Sequence, residues 1–199
     1  MSPAHVLEPT YAAIKRQLKE AHWPMGTKLE AVRLADDLGV SITPVRDSLN
    51  RLFGERLVDF SPGDGFRVSM ISEGELRNLF RLQYILLHAA VETQPINMPE
   101  FPNVKAALVD CTSHLFRMIA SCSDNAELVT TVASINDRLH VPRSYDTRIF
   151  EDAEEELAHL WQAAMGSNPT PPVTRDLLTR YFMRRIAHAA SYVRVLTEK

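Results

Sequence analysis

The sequence predicts a mainly α-helical protein in two parts: three helices and a β-hairpin over residues 1–71, then an all-α bundle over residues 72–199. Three observations predict it. Apolar residues recur at helical spacing along most of the chain. The one clear alternation lies in Leu57-Val58-Asp59-Phe60 and Phe66-Arg67-Val68-Ser69, two short runs around the Ser61-Pro62-Gly63-Asp64-Gly65 turn, which read as a hairpin. Ser72 with Glu75 is a capping-box pattern that restarts helix, so the boundary falls near Ile71.

Taken in order, the first helix spans about Thr10 to Trp23, with Tyr11, Ile14 and Leu18 on one stripe and Pro24 and Gly26 ending it. A second runs from about Leu29 to Leu38 and stops at Gly39, where a left-handed C′ residue is cheapest as glycine. Thr43 is the expected N-cap of the third, with Pro44 at N1, and the helix runs to Phe53 with Gly54 closing it. Beyond the hairpin, a long helix reaches about Glu92, prolines 95, 99 and 102 interrupt the chain, and helices follow at roughly 103–121, 124–140, 148–165 and 173–197. There is no internal repeat and no low-complexity tract.

A chain of 199 residues with 45% hydrophobic content is large enough for two small globular domains. No apolar run is long enough to span a bilayer, and no secretion signal pattern opens the chain, so a cytoplasmic location is expected. Cys111 and Cys122 lack CxxC spacing and read as free thiols of a reducing compartment. A net charge of −3 argues against non-specific packaging of nucleic acid. In residues 1–70 nine Lys/Arg balance nine Asp/Glu, so any DNA footprint must be local.

The third helix carries that footprint. Val45, Leu49, Leu52 and Phe53 form its buried stripe, and Arg46 and Asn50, four apart, lie together off it. A short helix after a glycine turn, exposing Arg and Asn, is what a helix-turn-helix inserts into the major groove. Arg forks onto guanine and Asn pairs with adenine. Ser41 and Thr43 stand where hydroxyls and free N–H groups reach phosphates. The hairpin becomes a wing, with Gly63 and Gly65 at its tip. The alternative is an ordinary solvated face bearing an Arg and an Asn.

The string Leu34-Ala35, Leu38-Gly39-Val40-Ser41, Thr43-Pro44-Val45-Arg46-Asp47-Ser48-Leu49, then Leu57-Val58 and Gly63-Asp64-Gly65-Phe66-Arg67-Val68, resembles the winged helix-turn-helix of GntR-family transcription regulators. The preceding Pro24-Met25-Gly26-Thr27-Lys28-Leu29 is similar to that family's approach to its second helix. The resemblance implies double-stranded operator DNA as partner, with contacts from Ser41, Thr43, Arg46 and the wing at Gly65. Two positions depart from the pattern. Ile42 stands where an arginine usually follows the serine, and Ala31 where a glutamate is common, with Arg33 the nearest basic residue that would compensate. One lost arginine lowers the salt slope of DNA binding by about one unit.

Further on, Asp110 and His114 stand four apart on one helix face, and His159 and His188 lie in apolar helical stretches. A carboxylate and three imidazoles would make a metal site if they converged, whereas each alone reads as a solvated carboxylate or a core histidine. The pattern Asp110-x-x-x-His114, then Ser123-Asp124-Asn125-x-x-Leu128, with Glu156 through Ala164, resembles the FCD effector domain of the FadR-like branch of the same family. That resemblance implies Asp110, His114, His159 and His188 as ligands of a divalent metal, zinc by default with nickel, manganese or iron as alternatives. If the Pro-rich loop 168–172 does not lengthen the gap between His159 and His188, Tyr181 falls at the last ligand's place. It further implies a small organic-acid effector near Arg81, Gln83 and Arg138, although Arg138, like His140 and Arg143, equally suits a helix end. Trp161, Tyr181, Phe182 and Tyr192 read as core.

Together these expectations describe a homodimeric, DNA-binding regulator, a repressor released when a carboxylate reaches the metal. A metal-dependent enzyme acting on a small acid is the alternative of another class. No HExxH base, nucleophile elbow or phosphate loop supports it. A DNA module whose second domain only dimerises is a third reading.

Overall fold

The computed structural model describes residues 4–91, 107–166 and 169–198. The chain divides into two compact units, Met1–Ile71 and Ser72–Lys199.

In the first unit, α1 (Ala4–Lys19), α2 (Ala31–Leu38) and α3 (Ile42–Gly54) surround a core of Tyr11, Ile14, Leu18, Leu34, Val45, Leu49 and Leu52. The stripe expected for the first helix is the one buried, but the helix starts six residues earlier and ends at Lys19. Pro9 lies inside it, and the Thr10 hydroxyl donates to the Val6 carbonyl at 2.7 Å. Loss of one backbone donor therefore does not end the helix there. A left-handed Ala21 (φ 52°) does turn the chain at the other end.

Lys28–Leu29 is not the start of a helix. It forms β1, which pairs antiparallel with β3 (Gly65–Val68), and β3 pairs with β2 (Val58–Ser61), in the order β1-β3-β2. Leu29 enters the core from this strand, and α2 follows only after an extended Glu30. Gly39 closes α2 in the left-handed conformation (φ 64°), as its sequence position predicts. The cap of α3 is Ser41, not Thr43. Ser41 is already extended (φ −75°, ψ 163°), which puts Pro44 at N3, still within the first turn where no N–H is needed.

The second unit is all helix: α4 (Glu73–Ala90), α5 (Leu108–Ser121), α6 (Ala126–Arg138), α7 (His140–Arg143), α8 (Asp146–Ile149), α9 (Ala153–Met165), α10 (Pro171–Ala187) and α11 (Ala189–Thr197). Both hydrogen bonds of the Ser72/Glu75 capping box form at the head of α4. α4 packs on α5, α6, α10 and α11, and its Phe80 meets Phe182 and Tyr192 in an aromatic centre shared with Phe116. Three expected helices are broken. The break at His188 (φ −99°, ψ 16°) divides 173–197, and those at Leu139 and around Phe150 isolate the short α7 and α8. Pro142 sits within α7, in the stretch 141–147 left between the helices expected at 124–140 and 148–165. The proline-rich stretch 95–102 lies outside the described residues.

Candidate functional site

α3 presents two chemically distinct faces. Val45, Ser48, Leu49 and Leu52 are buried, and the Ser48 hydroxyl donates to the Pro44 carbonyl at 2.7 Å, so it is spent within the helix. Ile42, Thr43, Arg46, Asp47 and Asn50 are exposed. Arg46 and Asn50 form no ion pair or hydrogen bond with the described protein, which leaves a fork of donors and an amide available on one face. Ser41 and Thr43 sit at the head of the helix, the Ser41 side chain makes no cap bond, and the first-turn N–H groups have no partner within the helix. Arg51, in contrast, is committed to structure. It bonds Glu8 at 2.8 Å, and its guanidinium lies 3.7 Å from the Tyr11 ring centre. Arg33 is exposed and pairs with Glu30 at 3.0 Å, three residues back.

The wing tip turns through Gly63 (φ 87°) and Gly65 (φ 83°), with the Asp64 N–H bonded to the Ser61 carbonyl at 3.1 Å. A side chain at either position would meet nothing within 4 Å, so the backbone angle, not crowding, demands glycine. Arg67 reaches Asp64 at 3.4 Å and the Gly26 carbonyl at 3.2 Å, tying the wing to the turn before β1.

The four residues expected to hold a metal are not brought together. Asp110, His159 and His188 are exposed, and half-buried His114 stacks on Trp161 at 5.8 Å. The His188 Nδ1 lies 2.9 Å from the Arg184 carbonyl. Among the described residues no three His, Cys, Asp or Glu side chains gather as a metal would require. The reason is rotational. α9 buries Leu157, Leu160 and Trp161, which turns His159 outward; α5 buries Val109, Cys111, Thr112 and Leu115, which turns Asp110 outward; and at the α10–α11 break Arg185 and Ala189 take the inward places. The donor set does not fit a metal.

The interior holds two arginines instead, each 1% exposed. Arg185 donates to Asp146 at 2.7 and 3.0 Å, to Glu156 at 2.7 Å and to the Tyr181 carbonyl at 3.1 Å, and the Tyr192 hydroxyl donates to the other Asp146 oxygen. Burial opposes the Arg185 charge, but the surrounding Tyr181, Asp146, Tyr192 and Glu156 hold it protonated above its ordinary range. Burial, reinforced by Asp146, pushes the Tyr192 phenol up so that it stays a donor. Arg143 donates to Asn136 Oδ1 at 3.0 Å and to Gln83 Oε1, while Gln83 Nε2 donates to Asn136 Oδ1 at 2.8 Å and Asn136 Nδ2 to the Ser113 carbonyl at 3.0 Å. Of the residues expected near an effector, Gln83 is therefore interior, Arg81 is exposed and Arg138 half-buried. Sequence reading missed both centres. The available signal was a charge within a stripe: Leu178, Tyr181, Phe182, Arg185 and Ala189 recur at buried helical spacing.

A glycine-containing turn between two short helices, an exposed Arg/Asn face on the second, and a three-stranded wing define a DNA-binding winged helix-turn-helix. Residues 8–68 match the model of the bacterial regulatory proteins of the gntR family. The chain is 25% identical to the Nta operon transcriptional regulator of Aminobacter aminovorans over 155 residues, 70% of this chain and 74% of that one. It is 35% identical to the HTH-type transcriptional regulator McbR of Escherichia coli K12 over 78 residues, 39% of this chain and 35% of that one. The fold is shared with a putative GntR regulator from Rhodococcus sp. RHA1 (TM-score 0.78, 15% identity, 93% and 97% of the two chains) and with E. coli McbR/YncC (TM-score 0.71, 22% identity, 93% and 97%). Residues 8–68 are therefore a winged helix-turn-helix of the kind the gntR-family model describes, and the chain is similar over most of its length to a DNA-binding transcriptional regulator. The family matched over residues 8–68 and these relatives are transcriptional regulators, not enzymes, which favours the regulator reading over the enzymatic one.

Proposed function

We propose that the protein binds operator DNA as a homodimer in the cytoplasm, represses transcription there, and releases DNA when a small carboxylate occupies its helical unit, as an FCD-like regulator of the FadR branch would. The observation that carries this reading is the unpaired Arg46/Asn50 face of α3, four residues apart and flanked by the helix N-terminus. Arg46 reads a guanine edge, Asn50 an adenine, and Ser41, Thr43 and the N-terminal N–H groups fix the helix on phosphates. Two copies are needed because one short helix reads one half-site, and half-sites one turn apart demand a two-fold partner. The wing adds backbone contacts through its glycine tip. A metal is left out of this mechanism, because Asp110, His159 and His188 are exposed and half-buried His114 stacks on Trp161, so the four do not share a site.

Fluorescence anisotropy with the protein's own promoter fragment tests the proposal. Binding is expected to tighten steeply as salt falls, since phosphate contacts release counterions. Chelator treatment is expected to leave the affinity unchanged. Failure to bind that fragment at low ionic strength overturns the reading.

A further inference from the structure

We infer that Ile42 is a specificity-determining residue: its side chain packs on the C5 methyl of a thymine in the major groove and makes a T·A pair part of the operator. That contact rests on the DNA reading proposed above and adds to it one residue and one base.

Ile42 is the first residue of α3 and is 38% exposed. Leu38 and Val40, just before it, pack against the core of the first unit. Within the helix the inward places belong to Val45, Ser48, Leu49 and Leu52. Ile42 instead stands among exposed Ser41, Thr43, Arg46 and Asp47. The helix gains little from it there. A β-branched side chain is a mediocre helix former, and the first turn, which favours acidic residues, holds none. A helix head without carboxylates approaches a polyanion unopposed.

The spacing places Ile42 with the reading residues. Ile42, Arg46 and Asn50 follow one another at i, i+4 and i+8, as one ridge along the helix. Residues near the N-terminus of a helix lying in the major groove are the ones that reach base edges. Neighbours on this ridge stand about 6 Å apart along the axis, so Ile42 meets the bases about two pairs, of about 3.4 Å each, from the guanine that Arg46 reads.

Chemistry then fixes what lies opposite. Base edges in the major groove present hydrogen-bond acceptors, amino donors and one kind of apolar group, the thymine methyl. Against any other edge, Ile42 would strip water from a polar group and return no hydrogen bond. Against the methyl, it takes apolar surface of both partners out of water. The methyl belongs to one strand only, so the contact distinguishes T·A from A·T as well as from G·C.

Methyl deletion in DNA bound by the full chain tests this. The purified protein selects duplexes from a random pool, and each thymine of the enriched sequence is replaced in turn by deoxyuridine, which lacks only the methyl. Affinities are read by fluorescence anisotropy at fixed salt. One thymine per half-site should be methyl-sensitive, with affinity falling about fourfold when it is changed in one half-site and about fifteenfold when it is changed in both. In Ile42→Ala the difference between thymine and uracil should disappear. Thr43 carries the other methyl at the helix head, and Thr43→Ser, whatever it does to affinity, should keep that difference. Binding with no methyl-sensitive thymine, or a sensitivity that survives Ile42→Ala or is lost in Thr43→Ser, overturns the role of Ile42 and leaves the regulator reading standing. A pool from which no duplex is enriched at low ionic strength overturns both.

Discussion

The two units use arginine in opposite ways. In the first, Arg46 projects into solvent from a helix whose inward positions are all small or aliphatic. In the second, Arg143 and Arg185 are sealed inside a helical bundle. An exposed guanidinium costs the fold little and keeps its full binding capacity for a polyanion. A buried one constrains its neighbours, and its energetic sign depends on what surrounds it. Recognition at the surface and chemistry in the core therefore answer to different tests.

The largest expected effect separates the two interior centres. Arg185→Met leaves buried Asp146 without its cation, and half-buried Glu156 with only the longer Arg184 contact, and should cost about 3–5 kcal/mol in urea unfolding. Arg143→Met removes a charge that no carboxylate among the described residues balances and should cost clearly less in the same assay. Equal losses would break the distinction between them. At the surface, Arg46→Ala should weaken operator binding by about 1–3 kcal/mol while leaving the unfolding midpoint unchanged. A shifted midpoint would mean that the residue serves the fold instead.

The smallest effect concerns an exposed charge held by local bonds. Glu75 accepts from the Ser72 hydroxyl and the Ser72 N–H, and these bonds hold its carboxyl below the usual range. A depressed folded-state value means that the contribution is present above the unfolded carboxylate's pKa and is lost as pH falls through the folded one. Ser72→Ala should cost about 1 kcal/mol near neutral pH, with the difference between variant and parent shrinking in acid.

The first unit was largely legible in the sequence because its signals are local. Gly39 announces a left-handed stop, the Gly/Pro turn announces a hairpin, and the spacing of Val45, Leu49 and Leu52 fixes which side of α3 faces out. What the sequence did not disclose there is equally local in scale. A two-residue strand at Lys28–Leu29 has no period to detect, and the helix expected from about Thr10 begins instead at Ala4 and runs through Pro9. In the second unit the helices were legible but their rotation was not. His159 has apolar neighbours on both sides, which suggested burial, yet Leu157 and Trp161 occupy the inward face and a residue between them must point away. The arginine centres depend on contacts between residues tens of positions apart, such as Arg143 with Gln83 and Arg185 with Asp146, and no spacing rule encodes those.

One feature of the first unit bears on how α3 meets a duplex. Tyr11 donates to Glu55 at 2.6 Å, and Lys15 reaches both that carboxylate at 2.8 Å and the phenol at 2.9 Å, so α1 grips the residue that caps the far end of α3. α3 is thus clamped at its tail and free at its head, like a stylus held in a chuck. A change as slight as removing the Tyr11 hydroxyl would alter the pitch of α3 and so, on the function proposed, the angle at which Arg46 is offered to a groove.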